Sequence, residues 1–176
     1  MNYALVTGST SGIGLAIAEI LLDDGCYVFF NYCNNKKRTS EIRARLAKYE
    51  GQFDFIRADL SNYAGIENII TAVRERGCLI NYLVLNFGIT DRTAFGEIVP
   101  ENWENVMRAN VNVPFFLIQR ICNDGLFSKN ASILCISSLM ASIPHAVSII
   151  YGLSKSAFSA LPGNLAKYLS FYLTKT

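Results

Sequence analysis

Tyr3-Ala4-Leu5-Val6-Thr7-Gly8-Ser9-Thr10-Ser11-Gly12-Ile13-Gly14 reads as an apolar strand, a glycine loop and the start of a helix. Helical spacing follows at Ile13, Ile17, Ile20 and Leu21. Glycines let the chain turn tightly and let its backbone approach a pyrophosphate. The first amides of the helix, unpaired within it, face that anion with the positive end of the helix dipole. Gly8, Ser9, Ser11, Gly12, Ile13 and Gly14 are therefore expected to hold a phosphate. The spacing is not G-x-G-x-x-G, and the same residues would also serve as a plain strand-to-helix connection.

Outward from this segment, strands are predicted near residues 2–7, 26–32, 52–57, 80–86 and 131–137, and helices near 13–24, 38–49, 62–76, 101–123 and 151–170. Parallel strands need a crossover, normally a helix, so this alternation predicts an α/β fold, a doubly wound parallel sheet of Rossmann type. A ligand then binds outside the carboxyl ends of the strands. With 176 residues, 51% of them hydrophobic, the chain has enough material for one sizeable core, and residues 1–176 read as a single domain. Pro162-Gly163 inside the last helix predicts a kink or break there.

Ser138, Tyr151 and Lys155 carry the chemistry. Residues four apart share a helix face, so a helix starting near Tyr151 sets the Lys155 ammonium beside the phenol. A free phenol loses its proton near pH ~10, and a neighbouring cation lowers that value. Ser138 closes the apolar run Ala131-Ser132-Ile133-Leu134-Cys135-Ile136-Ser137, where its hydroxyl would hold a carbonyl oxygen. The spacing alone is weak: Tyr32 and Lys36 repeat it at a strand end.

Taken together, Thr7-Gly8-x-x-x-Gly12-x-Gly14, Asp59-Leu60, Asn86-x-Gly88, Asn110, Ser138 and Tyr151-x-x-x-Lys155 resemble the short-chain dehydrogenase/reductase family over essentially the whole chain. Asn31-Tyr32 and Asn86-Phe87-Gly88-Ile89-Thr90 are most similar to the 3-oxoacyl-(acyl-carrier-protein) reductases and their relatives. The resemblance implies Tyr151 as general acid and Lys155 as holder of the nicotinamide ribose. It implies Ser138 as the group orienting the carbonyl, and Asn110 as support for a water chain returning a proton through Lys155. Asp59, with Leu60, would meet the adenine, and Asn31, Asn86 and Gly88 would line the cofactor groove. Asp59 serves equally as a turn former, and Asn110 as a polar helix residue satisfying backbone groups.

The substrate implied is a small-molecule or acyl-carrier-bound carbonyl compound. Homo-oligomers would form through the helices near 101–123 and 151–170. Family members continue beyond the equivalent of Thr176 through two more strands, so the sheet is expected to lack them and the fifth strand to be an edge. The alternative to a reductase is accordingly an impaired chain that only binds cofactor or associates with other chains. Phe87 stands where alanine is usual, and either crowds the groove or packs inward.

No acidic residue lies between Val28 and Ser40 to hydrogen-bond a ribose 2′-hydroxyl, while Lys36, Lys37 and Arg38 offer charge to a 2′-phosphate. NADPH is therefore expected over NADH. The alternative is a basic, solvated helix start. A net charge of +2 without a longer basic run gives no reason to expect nucleic acid or membrane partners. No run approaches a membrane span, and the start enters a strand directly, so a cytoplasmic location is expected. Cys26, Cys33, Cys78, Cys122 and Cys135 contain no C-x-x-C pair and read as reduced core thiols. His145 reads as a surface residue, with a substrate-side position as the alternative. No ligand cluster supports a metal.

Overall fold

The computed structural model describes the backbone of residues 1–173 and the side chains of residues 1–169. Thr174–Thr176, the end of the expected 1–176 domain, lie outside the described residues. Five strands, β1 (Tyr3–Val6), β2 (Tyr27–Tyr32), β3 (Phe53–Arg57), β4 (Ile80–Leu85) and β5 (Phe127–Cys135), form one sheet in the order β3-β2-β1-β4-β5. Every pairing is parallel. Strand order reverses at β1, between β2 and β4, which opens a crevice at the carboxyl ends there.

Side chains alternate along a strand, so each strand feeds two cores. Leu5, Tyr27 and Phe29 point to one face. There they pack with Ile69 and Ile70 of α3 (Ala64–Arg76), Leu117 and Ile121 of α5 (Val113–Asn123) and Phe158 of α6 (Ile149–Leu173). Ala4, Val6, Val28 and Phe30 point to the other face and meet Leu15, Ala18 and Leu22 of α1 (Gly12–Asp23) and Ile42 of α2 (Lys36–Arg45). That both faces of β1 and β2 are apolar explains why they are interior strands.

The structure corrects several expected boundaries. The segment 101–123 is two helices, α4 (Pro100–Met107) and α5, joined by a π turn at Arg108–Asn112. Pro114 cannot donate to the preceding turn, and it sits where a helix start tolerates it. Strand β5 begins at Phe127, earlier than 131, because Phe127 already pairs with Ile80; the register then shifts across Ser128–Ala131 and resumes at Ser132 opposite Tyr82, and the strand ends at Cys135, so Ile136 to Ser138 lie beyond it. Helix α2 ends at Arg45, followed by a 3₁₀ turn at Ala47–Tyr49.

Helix α6 runs through Pro162 as one helix, so of the expected kink or break the break does not occur. Phe158, Leu161, Leu165 and Leu169 of that helix pack on the core, which outweighs the loss of one backbone hydrogen bond. Cys26, Cys78 and Cys122 are buried and Cys135 is partly so, but Cys33 is exposed, since it follows the end of β2. None of the described helices is long and apolar enough to cross a membrane.

Pro162→Ala restores a donor for the Phe158 carbonyl and is expected to stabilise the chain by about 1–3 kcal/mol. Urea unfolding measures this, and an unchanged or lowered midpoint would contradict it.

Candidate active site

Each sequence-predicted site residue falls at or just past the carboxyl end of a strand, or on a helix that faces those ends. The glycine loop is fastened at three points. Asn31 is buried near the end of β2; its Oδ1 accepts from Gly8 N at 3.0 Å, and its Nδ2 donates to the Ala58 carbonyl at 2.9 Å. Ser9, also buried, donates from its amide to the Asn31 carbonyl and accepts from Asn31 N through Oγ. These two side chains hold the loop's shape from beneath it.

The third fastening is Asn86, whose Nδ2 donates to the Thr7 and Gly8 carbonyls at 3.0 and 3.1 Å. A Cβ on Gly14 would lie 2.4 Å from that same nitrogen, so only glycine lets α1 start here. Thr7 completes the junction. Its hydroxyl donates to the Val84 carbonyl and accepts from the amides of Asn86 and Phe87.

Above this junction lies a groove of about 620 Å³, lined by Gly8, Ser11, Gly12 and Ile13 on one side and by Asn31, Cys33, Asn86 and Gly88 among others. Ser11 precedes α1 without making a side-chain cap, so the first amides of the helix are left for another partner. Phe87 both lines the groove and packs against the core below. At the outer rim Arg38 of α2 reaches back, donating from Nε to the Thr10 carbonyl at 3.0 Å.

Asp59 sits just past β3. Its carboxylate accepts from Ser61 N at 3.0 Å and from Asn62 Nδ2 at 3.0 Å, which shapes the turn into α3. The Ser61 amide foremost, with the Cys33 thiol and Asn62 behind it, holds the Asp59 carboxyl below the usual aspartate value. Leu60 turns its side chain into the core, so only its backbone is offered to a ligand.

Tyr151 and Lys155 share the first turns of α6, with Lys155 Nζ 5.9 Å from the Tyr151 ring centre. Lys155 is only 4% exposed; Nζ donates to the Ile136 carbonyl at 3.0 Å and burial pushes its ammonium below the ordinary lysine value. A Cβ on Gly88 would lie 3.4 Å from that nitrogen, so the β4 turn passes directly beside the cation. Asn110 lies in the π turn, and its amide brackets Ile89: Oδ1 accepts from Ile89 N at 2.8 Å and Nδ2 donates to Ile89 O at 2.9 Å.

Ser138 opens a 3₁₀ turn at Leu139–Ala141, its Oγ accepting from Met140 N at 3.2 Å. That turn is tied to α6 by Ser156, which donates to the Ala141 carbonyl. His145 lies exposed in the loop that follows. The second Tyr-x-x-x-Lys pair, Tyr32 and Lys36, divides between the end of β2 and the start of α2 and shares no helix face. Thr7 and Ser154 had no role assigned from sequence. The hydroxyl in Ser154-Lys155 was a signal only once Asn110 was known to face it.

A family model described as short chain dehydrogenase matches residues 2–172. The chain belongs to the short-chain dehydrogenase family. Among curated relatives, the rhamnolipids biosynthesis 3-oxoacyl-[acyl-carrier-protein] reductase of Pseudomonas aeruginosa is 34% identical in an alignment that covers 96% of this chain and 67% of that protein. The 3-oxoacyl-[acyl-carrier-protein] reductase FabG of Chlamydia pneumoniae is 26% identical, covering 93% of this chain and 65% of the relative. Among solved structures, the landomycin C-6 ketoreductase LanV with bound NADP and rabelomycin superposes with a TM-score of 0.88 at 27% identity, over 97% of this chain and 71% of LanV. This short-chain dehydrogenase chain thus spans about two thirds of the length of the curated relatives it matches.

The lowered Asp59 carboxyl stabilises the fold above the unfolded-state value, and that contribution disappears as pH falls through the folded-state value. Asp59→Asn should therefore unfold at a lower temperature than the parent at neutral pH, and the gap should narrow as pH falls below about 4, the unfolded-state value. Thermal melts across pH check this; a gap independent of pH would contradict it.

Proposed function

We propose that the chain binds NADPH in the groove at the strand ends and reduces the carbonyl group of a small-molecule or acyl-carrier-bound substrate. The buried Lys155 beside Tyr151, pressed against the Gly88 turn at the mouth of the groove, is the observation that carries this reading. A dinucleotide fits the groove's chemistry. The uncapped amides of α1 suit a pyrophosphate, and nothing lies within 4 Å of a Cβ on Gly12, which leaves the groove side of the loop open. Arg38, held by the Thr10 carbonyl, supplies a cation for a 2′-phosphate.

When bound, NADPH supplies the hydride. Tyr151 gives its phenolic proton to the substrate oxygen, Ser138 donates a hydrogen bond to the same oxygen, and Lys155 holds the nicotinamide ribose. Asn110 supports the water path that brings a proton back through Lys155. Residues 1–176 act as one nucleotide-binding domain in a cytoplasmic protein. Association with further copies would use α4 to α6, where Trp103, Phe116 and Leu153 remain exposed. The relatives named for 3-oxoacyl-[acyl-carrier-protein] reduction favour an acyl thioester ketone as substrate.

Two measurements test this. With NADPH and a panel of ketones and 3-oxoacyl thioesters, the chain should consume nucleotide and Tyr151→Phe should not, while binding NADPH equally. Equal turnover in both proteins would end the assignment. Binding without turnover in the parent would instead select the reading of a chain that holds cofactor only. Separately, Arg38→Ala should weaken NADPH binding about tenfold while changing NADH binding less than about twofold. Equal losses for both nucleotides would remove Arg38 from the 2′-phosphate.

A further inference from the structure

Ser154 lies between Tyr151 and Lys155 on α6 and is fully buried. Its hydroxyl donates to the Tyr151 carbonyl at 2.7 Å and accepts from Asn110 Nδ2 at 2.9 Å. The first bond, back along the helix, is what any buried helical serine makes. The second crosses to the π turn and changes the meaning of the first.

Asn110 is 1% exposed, and its amide has one oxygen and two N–H donors. Oδ1 accepts from Ile89 N, and Nδ2 donates to Ile89 O and to Ser154 Oγ. The two bonds to Ile89 fix the amide plane to the turn after β4. The third fixes that plane to α6. A single hydroxyl thus sets the spacing between the β4 turn, the π turn and the helix bearing Tyr151 and Lys155.

Both groups crowd the turn after β4. A Cβ on Gly88 would meet Asn110 Oδ1 at 3.1 Å and Lys155 Nζ at 3.4 Å, so the Gly88 backbone runs close beside Asn110 and Lys155 alike. Removing the Ser154 hydroxyl leaves one Asn110 N–H without its partner in a site that water barely reaches. The amide then has two bonds instead of three to resist rotation out of its present plane.

We propose that Ser154 is a positioning residue, holding Asn110 to the turn that passes beside Lys155 and so fixing the path by which a proton reaches Tyr151. This rests on the reductase reading for its kinetic consequence, but not for its structural one. The test compares the parent chain with Ser154→Ala, and with Ser154→Cys, which keeps a weak donor and acceptor of similar size. Hydrogen exchange at the Asn110 side-chain amide is followed by NMR, the resonance being assigned by its loss in Asn110→Asp.

Exchange should be about tenfold faster in Ser154→Ala and intermediate in Ser154→Cys, with buried sheet amides unchanged. With a ketone substrate, kcat should fall about tenfold with a larger solvent isotope effect, while KM for NADPH changes less than about twofold. Exchange at Asn110 equal to that of the parent would overturn the proposal. So would faster exchange spread evenly through the sheet, which would make Ser154 a stability residue only. If the parent binds NADPH but reduces no carbonyl, the reductase reading fails, and the Asn110 exchange comparison still decides the role of Ser154.

Discussion

The carboxamide of Asn86 wedges between the end of β1 and the start of α1, with Nδ2 shared by the Thr7 and Gly8 carbonyls and no room for a side chain on Gly14. Everything at the strand ends is referred to this contact. It fixes the angle at which α1 leaves the sheet, and so the direction of its uncapped amides. From the same residue the chain continues to Phe87, whose ring fills space between groove and core, and to Gly88, which brings the backbone against Asn110 and Lys155. One amide thereby couples the glycine-loop end of the groove to the end at Gly88 and Lys155.

Polar groups buried at this junction are affordable only because each is paired. Among the described residues no fully buried side-chain nitrogen or oxygen lacks a hydrogen-bond partner. Leaving one such group unmade costs about 1–3 kcal/mol, so Asn31, Ser9, Asn110 and Ser154 specify their surroundings as strongly as the apolar core does. Lys155 is the exception in kind: it holds a charge in a desolvated site, where its ammonium donates to the Ile136 carbonyl. A cost of that sort, at the mouth of a groove, fits a group kept for chemistry.

Much of this was legible in the chain. β1, β2 and β4 are largely apolar runs and β3 is a short aromatic-rich one carrying Asp54 and Arg57, each bounded by glycines or polar turns, and β1, the glycine loop and α1 follow from one short segment. The fifth strand was misjudged at its start because its first pairing, Phe127 with Ile80, is separated from the apolar run by the polar residues Ser128-Lys129-Asn130, across which the register shifts. The π turn was illegible because Asn110 lies inside a helical pattern that continues on both sides. Ser9, Asn31 and Leu60 show the limit of motif reading. A motif names the residues around a ligand without saying which face the ligand and which hold the loop from below.

The most direct test of the account is calorimetric titration of the purified, folded chain with NADPH and with NADH, because the whole geometry of the strand ends is argued to form a nucleotide groove. The account predicts saturable binding at one site, tighter for NADPH, with a melting temperature that rises with ligand concentration. A cooperatively folded chain that gives no binding heat and no thermal shift with either nucleotide would contradict it.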